Sequence, residues 1–224
     1  IEYKPIFNPS VIVKIRPDSL RDDESKKLLY RAHELAVHGA PYFANLLPNP
    51  QEYASYVATG IRFATDWKGD WEIDTIRIGC MDQVTINVPR AAYESEREEE
   101  SFFENLQYFT EKGLKALEIK HKTLRSRAEE GLLPFLLQRD GGDYYFRLEN
   151  SSSILSFVGL SEAAQFMTGG AIQEDPDSLG FAEKVVLYLA DKIDEYNKKN
   201  GIRLNLGLAS NFEAAARLAQ LDIE

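Results

Sequence analysis

The chain holds a single cysteine, Cys80, in the stretch DTIRIGCMDQVTINVPRAAYES. A thiol can act as nucleophile, metal ligand or radical carrier, but free cysteine is also among the most buried residue types, so core packing is the default reading. Gly79 before it permits a tight turn and the close approach of other groups. Asp82 and Gln83 follow, and then a strand-like VTINVPR. A cysteine at a turn between two extended segments is well placed to project into a cavity. Other residue types with chemical potential are sparser. Ser210 and Asn211 open the stretch SNFEAAARLAQLD, in which Ser210 and Glu213 form an S-x-x-E capping box. That pattern accounts for both residues structurally, while the same helix start offers free N–H groups to a phosphate. Lys120, His121 and Arg125 lie in EIKHKTLRSR, where cations near a helix end complement its dipole. His33 and His38 are off the i, i+4 spacing that puts two imidazoles on one face, and no third ligand accompanies them. No metal site is expected within the chain.

The elements that must position these residues alternate. SVIVKIR (10–16) reads as a strand ended by Pro17, and Asp22 to His38 as a helix stopped by Gly39. APYFANL reads as a short buried strand, and residues 55–71 as extended segments and loop whose two tryptophans belong to a core. WEIDTIRIG and DQVTINV are strand-like. An acidic start, ESEREEE, leads into a long helix to about Arg127 or Glu130 with Phe102, Leu106, Phe109, Leu114, Leu117 and Leu124 on its apolar face. GGDYYFRL reads as a hairpin turn entering a strand and ILSFVGL (154–160) as another strand. SEAAQFMTGG is a short helix capped by Ser161. A long amphipathic helix spans 177–201, a strand 202–208, and a final helix closes the chain. Strands separated by helices predict an α/β fold with parallel strands.

At 224 residues, with 44% hydrophobic and 28% charged residues, the sequence is that of a soluble globular chain. A net charge of −10 argues against non-specific nucleic-acid binding, which needs a basic surface. One cysteine excludes an internal disulfide framework and a cysteine-cluster metal site, and a reducing, cytoplasmic setting is expected. No run of 18 apolar residues predicts a membrane span.

TIRIGCMDQVTINVPRAAYES, with the acidic run and FFENLQYFTEKGLKALEIK that follow, resembles the anaerobic (class III) ribonucleoside-triphosphate reductases, which are glycyl-radical enzymes. NPSVIVKIR, HGAPYFANL, GLLPFL, FVGLSEAAQFMTG and ASNFEAAARLAQLD extend the likeness in order along the whole chain, closest to the archaeal branch. The resemblance implies that residues 1–224 form one region, part of a ten-stranded α/β barrel. It implies reduction of ribonucleoside triphosphates by a thiyl radical, carried here by Cys80, with a homodimer and dNTP or ATP effectors. By the same likeness Ser210 and Asn211 face the substrate phosphates, and Lys120, His121 and Arg125 an effector at the subunit interface. The glycyl radical, the zinc site and the ATP-cone are not in these residues, so no cofactor is expected within the chain, and a radical-SAM activating enzyme is expected as partner. The family's radical cysteine commonly sits well before the VTIN strand, whereas Cys80 is five residues before Thr85. Two readings follow: a compact loop carrying the thiyl residue, or another role for Cys80. The alternatives in function are a nucleotide-binding or assembly module of the family without its own catalysis, and a glycyl-radical enzyme of the formate-lyase type.

Overall fold

The computed structural model describes residues 11–37, 41–47, 56, 76–200, 203–208 and 212–223. Two strands near the start, β1 (Ile12–Ile15) and β2 (Tyr42–Asn45), pair in parallel around helix α1 (Asp23–Ala36). Asp22 caps α1 by accepting from the Ser25 N–H at 2.7 Å, and that hydrogen bond holds its carboxyl below the usual range. The helix matches the stretch expected from sequence. Its expected apolar face does not close, because only Ala32 is buried while Leu28 and Leu35 are exposed.

The larger unit is a three-stranded parallel sheet in the order β3 (Cys80–Asn87), β6 (Ser152–Val158), β7 (Leu204–Leu208). Between β3 and β6 the chain forms helix α2 (Val88–Tyr93), helix α3 (Glu99–Glu129) and a small hairpin, β4 (Arg139–Asp140) and β5 (Asp143–Tyr144). Gly141 and Gly142 supply the two positive φ angles that a tight two-residue hairpin requires. Helices α4 (Leu160–Thr168) and α5 (Pro176–Asn200) connect β6 to β7, and α6 (Phe212–Ile223) follows. Parallel strands joined through helices agree with the α/β expectation. No helix among the described residues is long and apolar enough to cross a membrane.

Alternation along the strands divides the sheet into two faces. Val84 and Ile86 of β3, Leu155 and Phe157 of β6, and Leu204 and Leu206 of β7 join one apolar core. Helix α3 covers it with Phe102, Leu106, Leu114 and Leu117, and α5 with Phe181, Val185, Leu189 and Ile193. Gly113 brings α3 against the sheet, since a Cβ there would lie 2.8 Å from Leu155 Cδ1. Asn197 clasps the start of β7, donating to the Leu204 carbonyl and accepting from its N–H, both at 2.9 Å. Burial of these side chains supplies the driving force, at about 25 cal/mol per Å² of apolar surface.

Three expectations are corrected. The expected strand VTINVPR ends at Asn87, and its last three residues, 88–90, open α2: Asn87 accepts from the Arg90 N–H and Pro89 occupies the first turn, where its missing N–H costs nothing. Ser161 does not cap α4. Gly159 takes the cap position with φ +73°, packed on the Pro89 ring, and Ser161 lies inside the helix. Cys80 is not in a turn between strands; it is the first residue of β3. The tryptophans expected in the core, Trp67 and Trp71, lie outside the described residues, as does His38.

Candidate functional site

The face of the sheet opposite the apolar core carries polar side chains at alternate positions. Gln83, Thr85 and Asn87 of β3 stand in register with Ile154, Ser156 and Val158 of β6, and Asn205 and Gly207 of β7 continue the rows. Ser156 sits at the centre. Its hydroxyl accepts from Gln83 Nε2 at 2.8 Å, shares a 2.8 Å hydrogen bond with Thr85 Oγ1, and lies 3.2 Å from the Val84 carbonyl. Ser152 and Asn205 are buried, and neither Ser152 Oγ nor Asn205 Nδ2 finds a partner among the described residues. Buried polar groups are normally paired, so these two leave hydrogen-bonding capacity on the polar face open to another polar group.

Cys80 lies at the amino end of this face, in register with Ser152, and a bulge takes up Met81 and Asp82 before pairing resumes at Gln83. Its Sγ is 3.3 Å from the Asp82 carbonyl, to which the thiol donates. Burial pushes the thiol pKa up, and the Asp82 carboxylate adds to the rise against the hydrogen bond. The rise disfavours the thiolate, the form that acts as a nucleophile, and favours the protonated S–H. The Asp82 carboxylate pairs with Lys120 of α3 at 2.9 Å and accepts from the Gln83 N–H at 2.7 Å.

The carboxyl end of the face has its own polar cluster. Asn87 Nδ2 donates to both oxygens of Asp222 at 3.0 and 2.8 Å, and Arg90 Nε pairs with Asp222 Oδ1 at 2.9 Å. Arg90 also donates to the Leu221 carbonyl at 3.0 Å. This end is where parallel α/β sheets usually bind ligands. Strand β7 ends there at Leu208, in register with Phe157. From Ser152, beside Cys80, to Phe157 is five residues along β6, or roughly 17 Å at about 3.3 Å per residue. Ser210 and Asn211, expected to face phosphate, lie outside the described residues.

The expected effector residues separate along α3. Lys120 turns to Asp82 near the start of β3, whereas Arg125 reaches Glu149 at 3.3 Å. His121 is half-buried, its Nδ1 has no partner among the described residues, and burial, aided by Arg125, lowers its pKa in favour of the neutral ring. Arg125 lines an open cleft of about 430 Å³ with Tyr144, Phe146, Arg147 and Asn150. The cations there are engaged, Arg147 with Asp143 and Arg125 with Glu149.

Sequence reasoning missed the polar face and the Asp222 cluster. The first was readable as the strict alternation Gln83-Val84-Thr85-Ile86-Asn87. Nothing local signalled the second, because 135 residues separate Asn87 from Asp222.

No curated protein matches the chain. Among solved structures, it is similar to the anaerobic ribonucleotide reductase from Thermotoga maritima with citrate in the active site. That likeness has 23% identity and a TM-score of 0.57, over 65% of this chain and 27% of that one. The same enzyme with dATP bound in the specificity site gives 24% identity and a TM-score of 0.51, over 58% of this chain and 22% of that one. The chain thus spans about a quarter of the length of these structures, whose likeness supports the fold. The family model described as anaerobic ribonucleoside-triphosphate reductase matches residues 2–224, and the chain belongs to that family.

Proposed function

We propose that this chain is part of the catalytic barrel of a longer enzyme that reduces ribonucleoside triphosphates to deoxyribonucleoside triphosphates by thiyl-radical chemistry. Family membership supports the reaction class, and one observation carries the assignment to this site. A half-buried thiol that keeps its proton stands at one end of a polar sheet face with unpartnered buried groups beside it. In this reading β3, β6 and β7 are three of the ten barrel strands, and their polar face looks inward. In that longer enzyme a glycyl radical would supply the oxidising equivalent, and Cys80 would be the residue of this chain that carries it to the substrate as a thiyl. Cys80 would meet the 3′ hydrogen of the ribose, and the two electrons that replace the 2′ hydroxyl, lost as water, would come from formate or a thiol system outside this chain. Shielding from water is what such a radical needs, and a closed barrel supplies it. The nucleotide partners fit relatives whose structures contain dATP and CTP. Lys120, His121 and Arg125 are the proposed effector contacts, and Ser210 and Asn211 the proposed phosphate contacts. A homodimer, a radical-SAM activating enzyme and a cytoplasmic setting complete the reading.

The test is Cys80→Ala in the full-length enzyme. Reduction should be lost while the glycyl radical still forms and is seen by electron paramagnetic resonance. Normal turnover in this variant would remove Cys80 from the mechanism.

The roughly 17 Å between Cys80 and the carboxyl end of the sheet favours a second reading, since sites of parallel sheets cluster at that end. Here the chain binds nucleotide through the carboxyl end and supplies no radical carrier. A Cys80→Ala enzyme with unchanged turnover, but a raised KM on Ser210→Ala beyond the capping loss, would select it.

A further inference from the structure

Asp222 is an unexpected place for a buried carboxylate. It lies in the last turn of α6, where the helix dipole disfavours negative charge, and its side chain is only 9% exposed. Two partners from one corner of the sheet hold it there. Asn87, the last residue of β3, gives its amide hydrogens to both carboxylate oxygens, and Arg90, on the first turns of α2, adds an ion pair. Asn87 is fully committed by this arrangement, since its carbonyl oxygen accepts from the Arg90 N–H. Arg90 is committed too, through Asp222, the Leu221 carbonyl and Glu94 at 3.7 Å. None of these groups is left over to meet a ligand. The corner next to them is equally tight, with Gly159 of the β6–α4 junction packed on Pro89.

From this geometry we infer that Asp222 is a positioning residue of the nucleotide site, the carboxylate that fastens α6 to the carboxyl end of β3. The inference rests on the proposed nucleotide-binding function and adds the residue on which the shape of that end of the site depends. Charge-assisted hydrogen bonds of this kind are stronger than neutral ones and directional, so they fix an element's placement as well as its stability. Releasing α6 changes how the wall of the site meets its ligand. It leaves untouched the Cys80 end of the sheet, which lies six residues away along β6 (Ser152, opposite Cys80, to Val158, opposite Asn87).

The experiment uses the longer reductase chain and measures CTP affinity by equilibrium dialysis, KM and kcat separately, and hydrogen exchange in residues 212–223. Asp222→Asn should weaken CTP binding and raise KM about tenfold, change kcat less than threefold, and speed exchange across α6. The exchanged pair, Asn87→Asp with Asp222→Asn, restores an amide–carboxylate contact beside Arg90 and should recover most of the affinity. Should Asp222→Asn fail to fold, Arg90→Lys replaces it, with a smaller rise in KM of the same pattern. Faster exchange or a lowered Tm with unchanged CTP affinity would overturn the inference, leaving Asp222 a structural tie. If the unaltered enzyme binds no nucleotide at all, the proposed function falls first and the inference with it.

Discussion

At the scale of single residues, the sequence leaves Cys80 between core packing and radical chemistry, and burial with protonation now narrows its behaviour. Both the loss of hydration and the nearby Asp82 carboxylate disfavour the thiolate in the folded state. The folded thiol therefore holds its proton to higher pH than the unfolded one. Whatever stability this difference contributes is present below the unfolded pKa and declines as pH rises past it. Alkylation reads the same difference directly, because only the thiolate reacts. With this sole cysteine, the iodoacetamide rate of the folded chain should rise with pH along a curve displaced upward from that in urea. A folded-state curve at or below the urea curve would mean an activated thiolate, and the protonated donor would be lost. Part of this site was legible from residues alone: the lone cysteine, the glycine before it and the strand after it. The bulge that places the thiol opposite Ser152 was not, because register belongs to the pairing of two distant strands.

At the scale of elements, long helices were read well because periodicity is a repeated signal; α3 buries Phe102, Leu106, Leu114 and Leu117 as its spacing indicates. Junctions were read poorly. VTINVPR looks extended throughout, and only the cap on Asn87 together with Pro89 turns it into a helix at Val88. Ser161 has the side chain of a good cap, yet the chain must turn sharply at the end of β6. Only glycine meets both demands at position 159, a positive φ and contact with a proline ring. A Cβ at Gly159 would sit 2.2 Å from Pro89 Cγ, and neither the rigid ring nor α2 behind it can retreat cheaply. Gly159→Ala should therefore cost about 3 kcal/mol, from roughly 1–2 for the left-handed backbone and the remainder from overpacking. Urea denaturation measures it, and a loss below about 1 kcal/mol would show that the corner yields.

At the scale of the whole molecule, the alternating order of strand-like and helix-like segments indicated an α/β chain with parallel strands, but a sheet's closure is not written in any local pattern. The described strands stop at three in the main sheet, β3 and β7 each presenting one side without a partner among the described residues. β6 between them is buried along its whole length, as a strand covered on both faces is. In the proposed barrel the edges of β3 and β7 pair with further strands of the longer enzyme, and the polar face carrying Ser156 and Asn205 looks into a closed interior. Isolated from that enzyme, the edges of β3 and β7, which have no strand partner among the described residues, would offer N–H and C=O groups that readily recruit another chain. Net charge of −10 opposes that association weakly, since screening at physiological salt confines repulsion to about 8 Å. The edge hydrogen bonds act at contact distance and are not screened in the same way. The isolated chain should therefore self-associate above micromolar concentration, with size-exclusion mass rising with concentration and little dependence on salt, whereas the full-length enzyme keeps a fixed stoichiometry. A strictly monomeric 224-residue chain would mean that its edges are covered from within, and the three strands would then be a complete sheet rather than an arc of a barrel.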